Sequence, residues 1–280
     1  MLYVNANGTI VENNGGVIHP GNRGHLYGDG LFESIRIIAG KPINIENHIK
    51  RLLAGAERLK MRVPSYQDVT FFEERIIEIA TKSGVRFGGR CRLHLDRVAG
   101  GTYFPESNDT EFLIEVYPLD HDRFELNQRG LEVDINMNLK KQKNPLSNFK
   151  TKNGLLYVLA AIEAKEKGID EYLITNENGG IIESTSSNMF AVSNSILYTP
   201  GLDEGCLAGT MRMQIINLAL KNNIKVYECT MMPQNLLVAD EILLTNAING
   251  IKWVSGYRTK RYQNNMARHL IELLNQKYHV

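Results

Sequence analysis

Between residues 31 and 117 the apolar residues change their spacing twice, and this limits the fold more than any other feature. Leu31, Glu33 and Ile35 alternate with Phe32, Ser34 and Arg36, the every-second-residue pattern of a strand. From Glu46 to Lys60, Ile49, Leu52, Leu53, Ala56 and Leu59 form the stripe of an amphipathic helix. A second helix is expected after Ser65 as its cap, with Val69, Phe72, Ile76, Ile79 and Ala80 inward. Strands return at Arg90–Arg97 and Glu111–Tyr117; Cys91, Leu93 and Leu95 face one side of the first, and Arg90, Arg92, His94 and Asp96 the other. Upstream, Ala6-Asn7-Gly8 between Leu2–Asn5 and Thr9–Val11 is a hairpin signal. Helices interleaved with strands make this an α/β chain.

The second half repeats the mixture. Leu155, Leu156, Leu159, Ala160 and Ile162 mark a helix that Gly168 closes after Lys165 and Lys167. Strands are expected at 171–175, 181–183, 189–192 and 224–228, with a buried one over 239–250 that runs into a small-residue loop. Leu207–Arg212 opens a helix with Met213, Ile216 and Leu220 on its apolar face, and 262–278 is a terminal helix burying Met266, Leu270 and Leu273. Tyr117–Asp122 follows a strand and carries a proline and charges. It predicts two α/β domains, 1–117 and 126–280, joined by a linker over 118–125, with Lys150 in the second.

A chain with 43% hydrophobic and 22% charged residues has the make-up of a soluble globular protein. Its net charge of +1 gives no bulk electrostatic case for nucleic acid or an anionic membrane. No apolar run is long enough to span a bilayer, and Met1–Asn5 is no signal peptide. Cys91, Cys206 and Cys229 lack the spacing of a metal site or a disulfide framework, so no metal is expected. A cytoplasmic enzyme fits these features.

Several residues stand out singly. Lys150 lies on the short loop feeding the helix after Asn153, where a positive helix end favours the lowered pKa that imine chemistry needs; most lysines so placed are simply solvated. Glycines at 21, 24, 28 and 30 precede a strand, not a helix, so they form no phosphate loop; that strand either enters the core or lines a pocket with Tyr27, Phe32, Ser34 and Arg36. By periodicity Arg51 is a solvated helix arginine, and Arg97, at a strand end before glycines, either binds a carboxylate or is exposed. Ser184–Asn188 are costly between apolar strands unless they find partners. Glu183 needs a cation, for which a protonated pyridine nitrogen would serve. The helix start at Gly209-Thr210-Met211 is an anion site or merely a cap.

Six stretches, in this order over almost the whole chain, resemble the class IV aminotransferases: 27–36 (YGDGLFESIR), 48–52 (HIKRL), 150–153 (KTKN), 183–190, 209–212 (GTMR) and 239–241 (ADE). The resemblance implies the two-domain α/β fold of this pyridoxal-phosphate family (fold type IV) and a homodimer. It implies that Lys150, three before Asn153, carries the cofactor as an imine, with Lys152 its rival. Arg51, the backbone at Thr210 and Met211, and Asn246-Ala247 would hold the phosphate. Glu183 would face the pyridine nitrogen, while Thr185, Ser186 and Asn188 line the cofactor. Tyr27, Phe32, Ser34 and Arg97 would face a small amino-carboxylate substrate. Ser34, the loop 246–250 and Gly154 resemble aminodeoxychorismate lyases more than transaminases. The absence of an Arg-Gly pair after Asp96 does not. The expected activity is pyruvate elimination giving 4-aminobenzoate, as in folate biosynthesis. The alternatives are branched-chain or D-amino-acid transamination with 2-oxoglutarate, and a non-catalytic binding protein, against which retention of Lys150 and Glu183 speaks.

Overall fold

The protein, described by a computed structural model over residues 2–279, begins with a hairpin, β1 (Tyr3–Ala6) and β2 (Thr9–Glu12), and a short helix, α1 (Arg23–Leu26). β3 (Gly30–Ile38), β4 (Lys41–Pro42), α2 (Ile45–Arg58), α3 (Val69–Lys82), β5 (Gly88–Arg97) and β6 (Thr110–Leu119) follow. Their six strands lie in the order β2-β1-β6-β5-β3-β4, with antiparallel neighbours. Leu31, Ile35, Leu93, Leu95 and Ile114 from the sheet pack with Ile49, Leu52, Phe72, Ile76 and Ile79 from α2 and α3. The expected helical faces are therefore those that pack. The cap of α3 differs: Asp68, not Ser65, accepts the N–H of Phe71 at 2.9 Å. Asp68 is the residue immediately before the first turn, where such a bond contributes about 1 kcal/mol.

This first unit runs to Arg123, beyond the expected boundary, and takes in a distant piece of chain, Phe149–Asn153. The N–H of Phe32 donates to Lys150 O at 3.0 Å and that of Lys152 to Gly30 O at 2.9 Å, with Thr151 opposite Leu31. Lys150 thus belongs with the N-terminal sheet, not with the second domain as the sequence suggests. Two backbone hydrogen bonds outweigh its place in the chain order.

The second unit holds β7 (Leu131–Lys141), α4 (Leu155–Glu166), β8 (Glu171–Asn176), β9 (Ile181–Ser184), β10 (Asn188–Ser193), β11 (Ile196–Pro200) and α5 (Thr210–Lys221). After these come β12 (Val226–Cys229), α6 (Pro233–Val238), β13 (Glu241–Asn246), β14 (Gly250–Tyr257), β15 (Lys260–Arg261) and α7 (Asn265–Tyr278). The strands run β12-β11-β10-β13-β14-β7-β8-β9, β15 pairing with β14. β9 also meets β10 through one pair, Glu183 opposite Asn188, so six strands close into a ring. Leu173, Met189, Ile242, Leu244 and Val254 fill one core cluster.

Two helices, α5 and α7, turn inward a face that differs from the expected one, and α4 buries little of its apolar surface. α5 buries Met211, Ile215, Leu218 and Ala219 while Leu220 is exposed; α7 buries Ala267, Leu270, Ile271 and Leu274; α4 buries only Ala160 and Ala164. Each carries apolar residues on more than one side, so periodicity alone does not select the packed face. Among the described residues no helix is long and apolar enough to cross a membrane.

Candidate active site

In the first unit, pairing with β3 brings Lys150 beside Phe32, its Nζ 4.5 Å from the ring centroid. The guanidinium of Arg92 lies over the same ring at 4.3 Å. His94, opposite Phe32, stacks on it, and Ser34 is opposite Arg92. His94 Nε2 is 3.2 Å from Glu115, which also accepts from Tyr117. These contacts hold the Glu115 carboxyl below its usual value, the bond to His94 foremost, against burial. One face of β3, β5 and β6 therefore gathers a lysine, an arginine, a hydroxyl and an aromatic ring. The other face is the core.

The core face carries one carboxylate. Glu33 alternates with Leu31 and Ile35 and is fully buried. Arg51 grips it side-on, Nε to Oε1 at 2.8 Å and Nη2 to Oε2 at 2.5 Å, and His48 Nδ1 lies 2.6 Å from Oε2. Burial pushes the Glu33 carboxyl up, but the charges of Arg51 and His48 and their hydrogen bonds outweigh it and hold it at about 2. Burial holds His48 below the ordinary histidine value, Arg51 and Lys150 adding to it and Glu33 opposing. His48 donates its Nδ1–H to the ionised Glu33. Arg51 is thus no solvated helix residue.

Lys152 is committed elsewhere, with Nζ 2.6 Å from the buried Asp96. Arg97 is also committed. It donates to both oxygens of Asp29, to Asn108 and to Leu59 O, and is 6% exposed, so its hydrogen-bonding groups are engaged within the chain. A cavity of about 270 Å³ lies there, lined among others by Arg23, Tyr27, Asp29, Arg97, Tyr103 and Asn153. Tyr27 and Arg97 line this cavity, and Phe32 and Ser34 do not. Gly28, at φ +66°, must be glycine here, because Asn153 Oδ1 stands 2.7 Å from where a Cβ would be.

In the second unit the ring-closing pair sets Glu183 beside Asn188. Glu183, 3% exposed, accepts from Lys141 Nζ and Tyr157 OH at 2.7 Å each on Oε1, and from Leu207 N–H at 2.8 Å on Oε2. The cation that the sequence demanded for Glu183 is supplied within the chain by Lys141. Burial and Glu183 push the Tyr157 hydroxyl far up, so it stays a donor. Asn188 donates to Leu207 O, and its side chain fills the space that a Cβ on Gly209 would need. Gly209 caps α5 without any side-chain bond, which leaves the Thr210-Met211 turn without a side-chain cap. Thr245, opposite Asn188, has a buried hydroxyl with no partner.

Thr185 and Ser186 do not join this group. Both hydroxyls, with that of Ser184, donate to Glu171, which answers the cost of burying small polar residues. Ser187 accepts instead from Asn246 Nδ2 at 3.1 Å. Asn246 Oδ1 meanwhile accepts the N–H groups of Ile248 and Asn249 and fixes the turn that contains Ala247.

The residues fit the cofactor that the resemblance implies. A helix start without a side-chain cap and the orphaned Thr245 hydroxyl suit a phosphate. Glu183 Oε2 has one donor and room for a second. Sequence reasoning missed Glu33, His48, Arg92, Lys141, Tyr157, Ser187 and Thr245. Glu33 left a trace as a carboxylate in the register of core residues, Ser187 as one of five small polar residues between apolar strands, and His48 within the stretch 48–52.

The family described as amino-transferase class IV matches residues 30–257. A provisionally named branched-chain-amino-acid aminotransferase of Methanocaldococcus jannaschii is 28% identical over 280 residues, 99% of this chain and 95% of that one. An aminodeoxychorismate lyase of Bacillus subtilis is 28% identical over 259 residues, 89% of this chain and 83% of that one. The branched-chain aminotransferase of Thermoproteus uzoniensis, solved with norvaline, shares the fold at a TM-score of 0.88 and 20% identity, over 98% of this chain and 94% of that one.

Proposed function

The chain belongs to the class IV aminotransferases, a family of pyridoxal-phosphate enzymes, and we propose that it is an aminodeoxychorismate lyase acting in the cytoplasm. One observation carries the reading: Lys150 and Arg92 lie against the single ring of Phe32, and Ser34 stands opposite Arg92. In the proposed assignment Lys150 carries pyridoxal phosphate as an imine and Glu183 faces its ring nitrogen. The start of α5, Thr245, Asn246-Ala247 and Arg51 hold its phosphate. When bound, the cofactor would supply an electron sink for the negative charge that forms on the amino-bearing carbon when that carbon loses its proton.

The chain's own groups do the rest. Arg92, in place of Arg97, holds a substrate carboxylate by charge-assisted hydrogen bonds. Lys150 Nζ takes the proton from the carbon beside the amine. Ser34 donates a hydrogen bond to the ether oxygen as its bond to the ring breaks. The ring becomes 4-aminobenzoate, and the enolpyruvate that departs takes up the proton and becomes pyruvate.

The second reading, an amino-acid transaminase, is favoured by the full-length similarity to the archaeal aminotransferase. Aminodeoxychorismate should yield pyruvate and 4-aminobenzoate with the purified enzyme. If pyruvate is absent, while leucine or D-alanine with 2-oxoglutarate gives glutamate, the transaminase reading replaces the first.

A further inference from the structure

Lys150 and Lys152 lie two residues apart on the segment that pairs with β3, so their side chains leave the same face. Thr151 opposite Leu31 sets the register: Lys150 meets Phe32 and Lys152 meets Gly30. On the other edge of β3, Phe32 is opposite His94 and Gly30 is opposite Asp96. Two rows therefore cross the three strands, Lys150-Phe32-His94 and Lys152-Gly30-Asp96. A slip of the segment by two residues would bring Lys152 to Phe32 in place of Lys150, with both lysines still on that face. Backbone pairing cannot tell the two registers apart, because it carries no side-chain information. We propose that Asp96 selects between the two lysines: its ion pair with Lys152 fixes the register that leaves Lys150 against Phe32. The inference rests on the assignment of Lys150 to the cofactor made above.

The second row is shaped for this pair. Asp96 is 5% exposed, and Lys152 Nζ stands 2.6 Å from its carboxylate. Gly30 has no side chain, so the lysine reaches across β3 to β5. A Cβ on Gly30, or on Gly24, would collide with Asp96 Oδ1. Two of the glycines at 21, 24, 28 and 30 thereby make room for this carboxylate. Asn22 Nδ2 also donates to Oδ2, at 3.1 Å, but brings no charge. A register slipped by two takes the cation from a buried carboxylate, which is strongly unfavourable. Asp96 is thus a positioning residue that acts on Lys150 through Lys152.

Borohydride reduction with stoichiometric pyridoxal phosphate, followed by peptide mass mapping, tests the proposal without any substrate. The wild type carries the label on Lys150, and Lys150→Ala carries none, because Lys152 stays on Asp96. Asp96→Asn keeps the shape of the side chain and removes its charge, and about a tenth or more of its label moves to Lys152. Lys150→Ala/Asp96→Asn regains a label, now on Lys152. An Asp96 that merely supports the fold would lower stability and move no label. Label confined to Lys150 in folded Asp96→Asn, or a folded double variant without label, overturns the proposal and leaves the assignment of Lys150 standing. A wild type labelled on Lys152 overturns both. Should the asparagine variants fail to fold, Lys150→Ala/Gly24→Ala, which displaces the carboxylate with one methyl group, decides instead: a label on Lys152 supports the proposal and none overturns it.

Discussion

Arg51 holds Glu33 edge-on, with one bond to each carboxylate oxygen, and His48 closes on Oε2 from the same helix. The trio makes an acid-sensitive support inside the first unit. Glu33 falls from its ordinary 4.5 to about 2, so the folded chain binds fewer protons than the unfolded one between these values. Its contribution is complete above pH 4.5, is lost as pH falls toward about 2, and amounts to about 3 kcal/mol. His48 acts in the same direction from pH 6.5 downward, because its folded value is also depressed. Denaturant midpoints measured against pH should therefore fall on acidification. Glu33→Gln should flatten the lower part of the curve and cost roughly 3–5 kcal/mol at neutral pH by stranding Arg51. A wild-type curve flat from pH 6.5 to 3 would remove the trio from this role.

Lys150 and Lys152 stand two residues apart on one extended segment, but Lys152 is tied to Asp96 at 2.6 Å. Borohydride reduction of the yellow enzyme should attach the cofactor to the Lys150 peptide, and Lys150→Ala should abolish the imine absorbance. Lys152→Met should keep the label and lose roughly 3–5 kcal/mol of stability by leaving Asp96 unpaired. Peptide mass mapping decides it, since a label on Lys152 would reverse the assignment.

The sequence made some of this legible. α2 and β5 could be read because each has a single apolar face, so the stripe through Ile49 and Leu52 and the row Cys91-Leu93-Leu95 had one place to go. α5 could not, because Met213 and Leu220 mimic the packed face formed by Ile215 and Leu218. Lys150 was legible as the candidate for the reacting group only through the resemblance over 150–153. Its attachment to β3 was not, because that pairing joins residues more than a hundred positions apart. The surroundings of Arg97 and Arg92 were hidden for a similar reason: only the fold brings Asp29 to the first and Phe32 to the second.

Glu183→Gln tests the electron sink. The amide oxygen can keep the bonds from Lys141 and Tyr157, but the amide nitrogen then meets the Leu207 N–H, donor against donor. Stability should fall by about 1–3 kcal/mol. Turnover should fall by several orders of magnitude, far more than cofactor affinity, because the ring loses the charge that keeps its nitrogen protonated. Spectrophotometric cofactor titration alongside turnover separates the two effects. Near-normal turnover would take Glu183 out of the mechanism.

Arg92 and Arg97 should separate by assay. Arg92→Gln keeps the fold and raises KM for a carboxylate substrate by about ten- to a hundredfold, the loss of a charge-assisted contact. Arg97→Gln removes one of the two arginines on Asp29, leaving Arg23 at 2.8 Å, so its deficit should appear in thermal unfolding, with KM little changed in the protein that remains folded. The opposite pattern would restore the role that the sequence suggested for Arg97.

Ser34 decides between the two reactions. It lies on the Phe32 face of β3, opposite Arg92 and away from the core, so replacing it leaves the packing of Leu31 and Ile35 intact. Elimination breaks a carbon–oxygen bond, and the departing oxygen gains negative charge that a hydroxyl donor stabilises. Transamination breaks no such bond and has no use for that donor. Ser34→Gly removes the hydroxyl and leaves Lys150, Arg92 and Glu183 in place. Pyruvate release from aminodeoxychorismate should drop by about a hundredfold or more in kcat, as for loss of one oxyanion donor, with cofactor absorbance unchanged. Transfer of amino groups to 2-oxoglutarate, if the enzyme has any, should be untouched or raised. Equal losses in both reactions would mean that Ser34 supports the site rather than the leaving oxygen, and the lyase reading would lose its main support.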